Sequence, residues 1–310
     1  MEFYRSVSEF TMPTHERRSL LRPALSLAGV FSALLAISGC VSAASGKESS
    51  EPDIGNPLTT LSTKDLRLPL ESYLPTAGQV REFDRARLVL IDRCMRRFEF
   101  SYKVDVPAVK GGSADSNSRR YGITDSSLAA RNGYGLAAGA EAHPATPELG
   151  ADEQTVLYGE GASSLDGRAV PQGGCIGEAN RGLDAHSPKG ADFTLTQQLG
   201  FTSFQQTQQD SRVRKVVRAW SDCMAGQGYH YANPLAPLSD PKLGDGTGAD
   251  AIATARADLD CKTRTNLVGV SFTVESAYQQ RLIEQRAELV KATKEARDAR
   301  LRVADSLGQA

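Results

Sequence analysis

Two stretches decide the fold when they are laid over one another: Ile91-Asp92-Arg93-Cys94-Met95-Arg96-Arg97-Phe98-Glu99-Phe100-Ser101-Tyr102 and Trp220-Ser221-Asp222-Cys223-Met224-Ala225-Gly226-Gln227-Gly228-Tyr229-His230-Tyr231. Both read Cys-Met-x4-[Phe/Tyr]-x-Tyr, with a large apolar residue three positions before the cysteine, and they stand 129 residues apart, Cys94 to Cys223. Two of the shared positions are rare residue types, so the coincidence points to an internal duplication, although two copies are too few for a solenoid. Convergent helix-end chemistry is the competing explanation.

Helical periodicity runs up to each copy. Thr76-Ala77-Gly78-Gln79 has the spacing of a capping box, and Val80, Phe83, Leu90, Ile91, Cys94, Met95 and Phe98 follow at helical intervals, which predicts a helix over 77–97. Asp210 is placed to cap a second helix with Val213, Val216, Val217, Trp220, Cys223 and Met224 on one side, and Gly226 and Gly228 supply its stop. After each helix, Phe98, Phe100 and Tyr102, and later Tyr229 and Tyr231, alternate with polar residues at strand spacing. A further cysteine follows each copy on a predicted helix: Cys175 after Gly173-Gly174, and Cys261 on the face of Ala253 and Ala257. The fold class expected is therefore α+β and mainly helical, with two disulfide-stapled helix-strand-helix units and a long C-terminal helix.

That last helix is the clearest element. From about Phe272 to Leu307 the chain has no Gly or Pro, Leu282, Leu289, Ala296 and Val303 recur every seven residues, and Lys291–Glu295 and Lys294–Asp298 are i,i+4 pairs. Its alanine seam is weak for a coiled coil, so a packed N-terminal half and a solvated C-terminal half are expected. A partner-binding helix is the alternative. Residues 111–190 hold 15 of the 28 glycines, a density that opposes long helices or strands, with one helix expected near Asp152–Tyr158. An irregular stretch of this length reads first as disorder or surface coverage, and it is where a ligand would be sought first.

The chain has 310 residues, 24% charged and 40% hydrophobic, with a net charge of −1. That excludes collagenous and polytopic membrane classes and gives no electrostatic claim on nucleic acid. Five cysteines divide into one special residue and two pairs. Arg17, Arg18 and Arg22 precede an uncharged stretch, Pro23–Gly39, that ends in Ile37-Ser38-Gly39-Cys40. These are the parts of an export signal, and the ending resembles the lipobox of bacterial lipoproteins. On that reading residues 1–39 are a signal peptide, Cys40 carries lipid, and the mature protein sits on the outer face of the cytoplasmic membrane. The start is Met1 or Met12, since Glu2 and Glu9 before Met12 are unusual in a signal n-region, and Arg17-Arg18 fits either general secretion or the twin-arginine route. Without residues 1–39 the chain keeps 32 basic and 34 acidic side chains, close to neutral.

Residues 40–60 read as a lipidated cysteine and flexible tether, 61–275 as a globular domain, and 276–310 as the amphipathic helix. Cys94, Cys175, Cys223 and Cys261 remain, an even number in an exported chain. The local pairing, Cys94–Cys175 with Cys223–Cys261, ties the two helices of each unit together. The alternative joins the duplicates, Cys94–Cys223 with Cys175–Cys261. With no Cys-x-x-Cys and no histidine at ligand spacing, no metal site or cofactor is implied.

No catalytic residue emerges. His143, His186 and His230 are isolated, there is no Gly-x-Ser-x-Gly elbow, and Gly133-Tyr134-Gly135-Leu136-Ala137-Ala138 lacks the preceding strand that a dinucleotide site requires. Asp245-Gly246 reads as a turn. The aromatics Phe98, Phe100, Tyr102, Trp220, Tyr229 and Tyr231 read as core beside the cysteines.

Several of these pieces also resemble a group of uncharacterised secreted lipoproteins of actinomycetes. The pieces are the lipobox, Leu68-Pro69-Leu70, Arg120-Tyr121-Gly122, Pro171-x-Gly173-Gly174-Cys175, Trp220-Ser221-x-Cys223-Met224 with Gly228-Tyr229, and Ala257-Asp258-x-x-Cys261-Lys262. The resemblance implies an envelope location and paired cysteines, and no activity. The function expected is a non-enzymatic binding or interaction module, attached to the membrane through its N-terminal lipid and facing an envelope protein or cell-wall component, with no nucleic acid partner and no indicated oligomeric state. The alternative is an envelope hydrolase acting on peptidoglycan or another glycan, with a carboxylate pair inside 111–190.

Overall fold

A computed structural model of the chain describes residues 51–104, 117–135 and 148–308; Cys40 and the export signal expected before it lie outside the described residues. The first helix, α1 (Ala77–Arg96), begins on the capping box legible in the sequence: Thr76 Oγ1 accepts from Gln79 N at 3.2 Å and Gln79 Oε1 accepts from Thr76 N at 2.9 Å. It buries Ala86, Ile91, Cys94 and Met95. The glycine-rich region contributes α2 (Ser126–Asn132), α3 (Ala151–Tyr158), a hairpin of β1 (Ser164–Leu165) with β2 (Arg168–Ala169), and α4 (Gly174–Leu183). Then come α5 (Leu195–Gln209), α6 (Ser211–Gly226), α7 (Ala249–Thr265), α8 (Leu267–Gln285) and α9 (Ala287–Gly308). The architecture is mainly helical, and β1–β2 is the only sheet among the described residues.

Disulfides join Cys94 to Cys175 and Cys223 to Cys261, the local pairing. Around the first, Ile91, Met95, Phe98, Val156, Leu157 and Ala179 form one core; around the second, Tyr121, Trp220, Met224, Ala257, Leu267 and Val268 form another. The strands expected after α1 and α6 are not formed. Instead the backbone at each place is taken by the preceding helix: Asp92 Oδ1 accepts from Tyr102 N at 3.0 Å, and Ser221 Oγ donates to Tyr231 O at 2.7 Å. The alternating aromatics pack against the two disulfide cores, and among the described residues no strand pairs with them.

The two helix ends nonetheless match atom for atom in their backbone bonds. Phe100 N donates to Met95 O at 3.2 Å, as Tyr229 N does to Met224 O at 2.9 Å, and Phe98 N and Gln227 N reach the same two carbonyls. Glu99 and Gly228, equivalent in the overlay, both take positive φ, 69° and 88°. Beyond these turns the match ends. Cys94–Cys175, Leu90 against Gly182, and Ala86 with Leu183 show α1 and α4 running antiparallel. Cys223–Cys261 and Trp220–Asp258, each 38 residues apart, show α6 and α7 running parallel.

At the C-terminal end, the continuous helix expected from 276 is divided, with Arg286 at φ −123° and ψ 25° between α8 and α9. The break turns α9 back over the domain, so its second half is packed where a solvated extension was expected. Ala296, Ala299 and Ala304 are buried, and Ala304, Val303 and Leu307 pack with Phe83 and Ala86 of α1. Small residues let the two helices approach closely, which is the use of the alanine seam. Residues 51–60, expected within the flexible tether, are held along α6 and α8: Glu51 accepts from Ser211 N and Oγ, and Asn266 Nδ2 donates to Leu58 O at 2.8 Å. Gly269 permits this strap, since a Cβ there would lie 1.7 Å from Leu58 O.

Candidate functional site

A turn of 3-10 helix, Pro69–Tyr73, packs against α5, α8 and α9 and leaves a cleft of about 840 Å³ beside it. Its walls are Leu68, Leu70, Tyr73, Leu74, Phe83, Phe193, Phe201 and Phe204. Three of these are large hydrophobic side chains left open to water: Leu74 at 41%, Phe193 at 39% and Phe201 at 61% exposure. Concave, mainly apolar spaces of 300–1,000 Å³ are the size of ligand sites.

Arg120 forms part of the lining. Its Nε donates to Glu275 Oε1 at 2.8 Å and Oε2 at 2.9 Å, and its Nη2 donates to Glu275 and to Gly200 O. The guanidinium also lies 5.1 Å from the Phe204 ring centroid. Burial works against the Arg120 charge, but the hydrogen bonds and charge of Glu275 outweigh it and raise the guanidinium above its ordinary range. Glu275 is wholly buried on α8 and also accepts from Tyr121 OH at 2.9 Å and Gln279 Nε2 at 3.0 Å. Two further arginines stand at the cleft from α9. Arg297 Nη1 donates to Ser72 O and Leu74 O, both at 3.1 Å, and pins the 3-10 turn; Arg300 pairs with Asp184 and lies 3.4 Å from the Phe193 centroid.

Three polar side chains of the cleft are already engaged. Asn117 Nδ2 donates to Glu71, Gln279 Oε1 accepts from Leu70 N at 3.0 Å, and Thr293 Oγ1 donates to Asp192 O at 3.1 Å. Each arginine carries its own carboxylate, Glu275, Asp298 or Asp184. Among the described residues Glu71 is the one acid in the lining, which there contains no serine, cysteine or histidine. Among the described residues no nucleophile–base pair and no pair of facing carboxyls converges there.

The residues singled out in the sequence lie elsewhere. Cys94, Cys175, Cys223 and Cys261 form the two bridges, away from the lining. Phe98 and Trp220 are buried, and Phe100, Tyr102, Tyr229 and Tyr231 pack against the disulfide cores. Among the described residues of the glycine-rich region, Asn117 and Arg120 reach the cleft. Asp245-Gly246 is a turn in which Asp245 Oδ1 accepts from Thr247 N and Oγ1. Among the described residues no group of His, Cys, Asp or Glu is arranged to hold a metal ion, and no helix is long and apolar enough to cross a membrane.

No protein-family model, curated protein or solved structure matches the chain. The reading of the cleft therefore rests on its own chemistry. Sequence periodicity misses it because α5, Leu195–Gln209, is mostly Gln and Thr, with Phe201 and Phe204 standing outside the buried stripe of Leu195, Leu199, Ser203 and Thr207.

Proposed function

We propose that the protein is a non-enzymatic envelope lipoprotein, held at the outer face of the cytoplasmic membrane by lipid on Cys40, whose helical domain captures an apolar envelope component in the cleft. One observation carries the binding half of this reading: Leu74, Phe193 and Phe201, all exposed, line one concave, mainly apolar surface in which Asn117 and Gln279 are already bonded to Glu71 and Leu70. Contiguous apolar surface open to water marks an interaction site far more often than scattered single residues do. Among the described residues Glu71 is the one acid of the lining, short of the two carboxyls a glycan hydrolase uses.

Two substitutions test the two halves. Cys40→Ala is expected to abolish acylation and leave an unprocessed precursor, followed by labelling with palmitate and by mass; normal processing refutes the anchor. Phe201→Asp is expected to weaken binding of the neutral dye Nile red at least tenfold; equal binding refutes the cleft.

The equivalence of the α1 and α6 ends supports a further reading, that these two helices with their turns descend from one duplicated unit. The copied part then covers one helix and its turn, because the helices bridged to α1 and α6 run in opposite senses.

A further inference from the structure

We infer that the ligand of this cleft is an acyl chain ending in a carbonyl or carboxylate oxygen, with the oxygen on Arg120 and the chain running out along Phe204 and Leu70 to Phe201 and Phe193. This rests on the proposed binding role of the cleft and names its ligand class.

Three observations select that class. First, most of the lining belongs to helices and a 3-10 turn, whose backbone groups are engaged in their own bonds, and among the described residues the cleft borders no β-strand. The inner side chains Asn117, Gln279 and Thr293 already serve Glu71, Leu70 and Asp192. A peptide laid here would bury backbone N–H groups against leucine and phenylalanine, at about 1–3 kcal/mol for each unpaired group. An acyl chain has no polar group along its length.

Second, Arg120 offers a donor at one place. The bonds to Glu275 and Gly200 use Nε and Nη2, and Nη1 makes none of them. A guanidinium so clamped presents fixed N–H groups to a single acceptor. Since Glu275, Asp298 and Asp184 already balance Arg120, Arg297 and Arg300, a multiply charged headgroup finds no surplus positive charge.

Third, Arg120 and Phe204 also line a separate hollow of about 130 Å³, together with Tyr121, Val213 and Leu235. The pair thus borders both spaces, and Glu275 and Gly200 hold its guanidinium in place. The head stops there, and the chain points toward the exposed phenylalanines.

The test uses the full chain carrying Cys40→Ser, so that its own lipid does not compete, and follows displacement of Nile red by octanoate, laurate and palmitate. Affinity is expected to rise roughly three- to fourfold per added methylene, the equivalent of about 0.8 kcal/mol per buried CH2, until the cleft is filled. Arg120→Lys keeps the charge beside Glu275 but loses the guanidinium edge, and is expected to weaken laurate at least tenfold. Should that variant not fold, Phe201→Asp, at an exposed position, is expected to do the same with an unchanged melting temperature. Tighter binding of laurate than of methyl laurate assigns a free fatty acid, and equal binding an esterified lipid; both support the inference. Absence of displacement, or displacement independent of chain length, overturns it. If Phe201→Asp abolishes dye binding while no fatty acid competes, the acyl class is wrong and the cleft reading stands; if dye binding is unchanged in Phe201→Asp, both are wrong.

Discussion

Lys262 and Asp258 lie one turn apart on α7, Nζ 3.0 Å from Oδ2, with both side chains wholly withdrawn from water. The pair is fully furnished: Trp220 Nε1 donates to Asp258 Oδ1 at 2.8 Å, Tyr134 OH to Oδ2 at 3.1 Å, and Lys262 Nζ to Ile123 O at 2.9 Å. Burial raises the Asp258 carboxyl and lowers the Lys262 ammonium, and each partner's charge offsets part of the other's shift. Removing one partner strands the other. Lys262→Met is expected to cost about 3–5 kcal/mol in urea unfolding, and Asp258→Asn added to it to cost much less than the sum of the two single changes. Additive losses would show that the two groups do not act as a pair.

Gly122 stands against this pair with φ 80°, and a Cβ there would meet Pro234 O at 2.5 Å and Lys262 Nζ at 2.6 Å. Gly167, in the β1–β2 turn, has φ 76° and nothing within 4 Å. Gly167→Ala is expected to cost about 1–2 kcal/mol, the left-handed strain alone. Gly122→Ala adds overpacking of backbone and is expected to cost about 1–3 kcal/mol more. Equal losses in thermal unfolding would mean the crowding at Gly122 relaxes.

Glu99 takes the left-handed turn that Gly228 takes at the other helix end. Its carboxylate meets Arg168 at 3.1 Å, but both side chains are well exposed, and such pairs contribute about 0–1 kcal/mol. Relief of φ strain is about 1–2 kcal/mol. Glu99→Gly is therefore expected to raise the melting temperature, and a lower one would show that the ion pair outweighs the strain.

Of the two disulfides, Cys94–Cys175 is buried at both ends, whereas Cys223 is half-buried. Graded reductant followed by alkylation is expected to label Cys223 and Cys261 first; simultaneous labelling would contradict the difference in access. Loop closure over separations of 81 and 38 residues contributes about 4.5 and about 3.9 kcal/mol, so replacing both cysteines of the first bridge is expected to destabilise slightly more.

Burial by itself would raise Asp210, yet the side-chain and backbone hydrogen bonds and the charge of Arg212, with the Tyr278 hydroxyl, hold its carboxyl below the ordinary 3.8. A depressed folded value means the unfolded chain binds the proton first. Asp210 then contributes stability above the ordinary aspartate range and loses it as pH falls through the folded value. Asp210→Asn is expected to flatten the acid limb of stability against pH between about pH 5 and pH 2. An unchanged slope would assign that limb to other carboxylates.

Local chemistry was readable along the chain: the Thr76 cap, the Asp210 cap, the Cys-Met helix ends and the segment at α3 follow from spacing alone. Strand spacing after each helix misled, because Phe100 and Tyr102, or Tyr229 and Tyr231, alternate for a disulfide core with no partner strand at hand. Arg286 carries no breaker signal, and the turn there follows from what α9 can cover on α1. The cleft was invisible for the same reason: Leu74, Arg120, Phe201 and Arg297 come from four distant places, and no periodicity records their meeting.

The docking of α9 on α1 bears on the order of folding. Ala304 and Leu307 complete a layer begun by Phe83 and Ala86, more than two hundred residues earlier. Contacts of such long sequence separation form late and slow the search. Until α9 is made, the Phe83–Ala86 part of α1 lacks the cover of Ala304 and Leu307, while Ile91 and Met95 can already pack on α3 and α4. A chain truncated after Gln285 should keep both disulfide cores and become a substrate for proteases at α1.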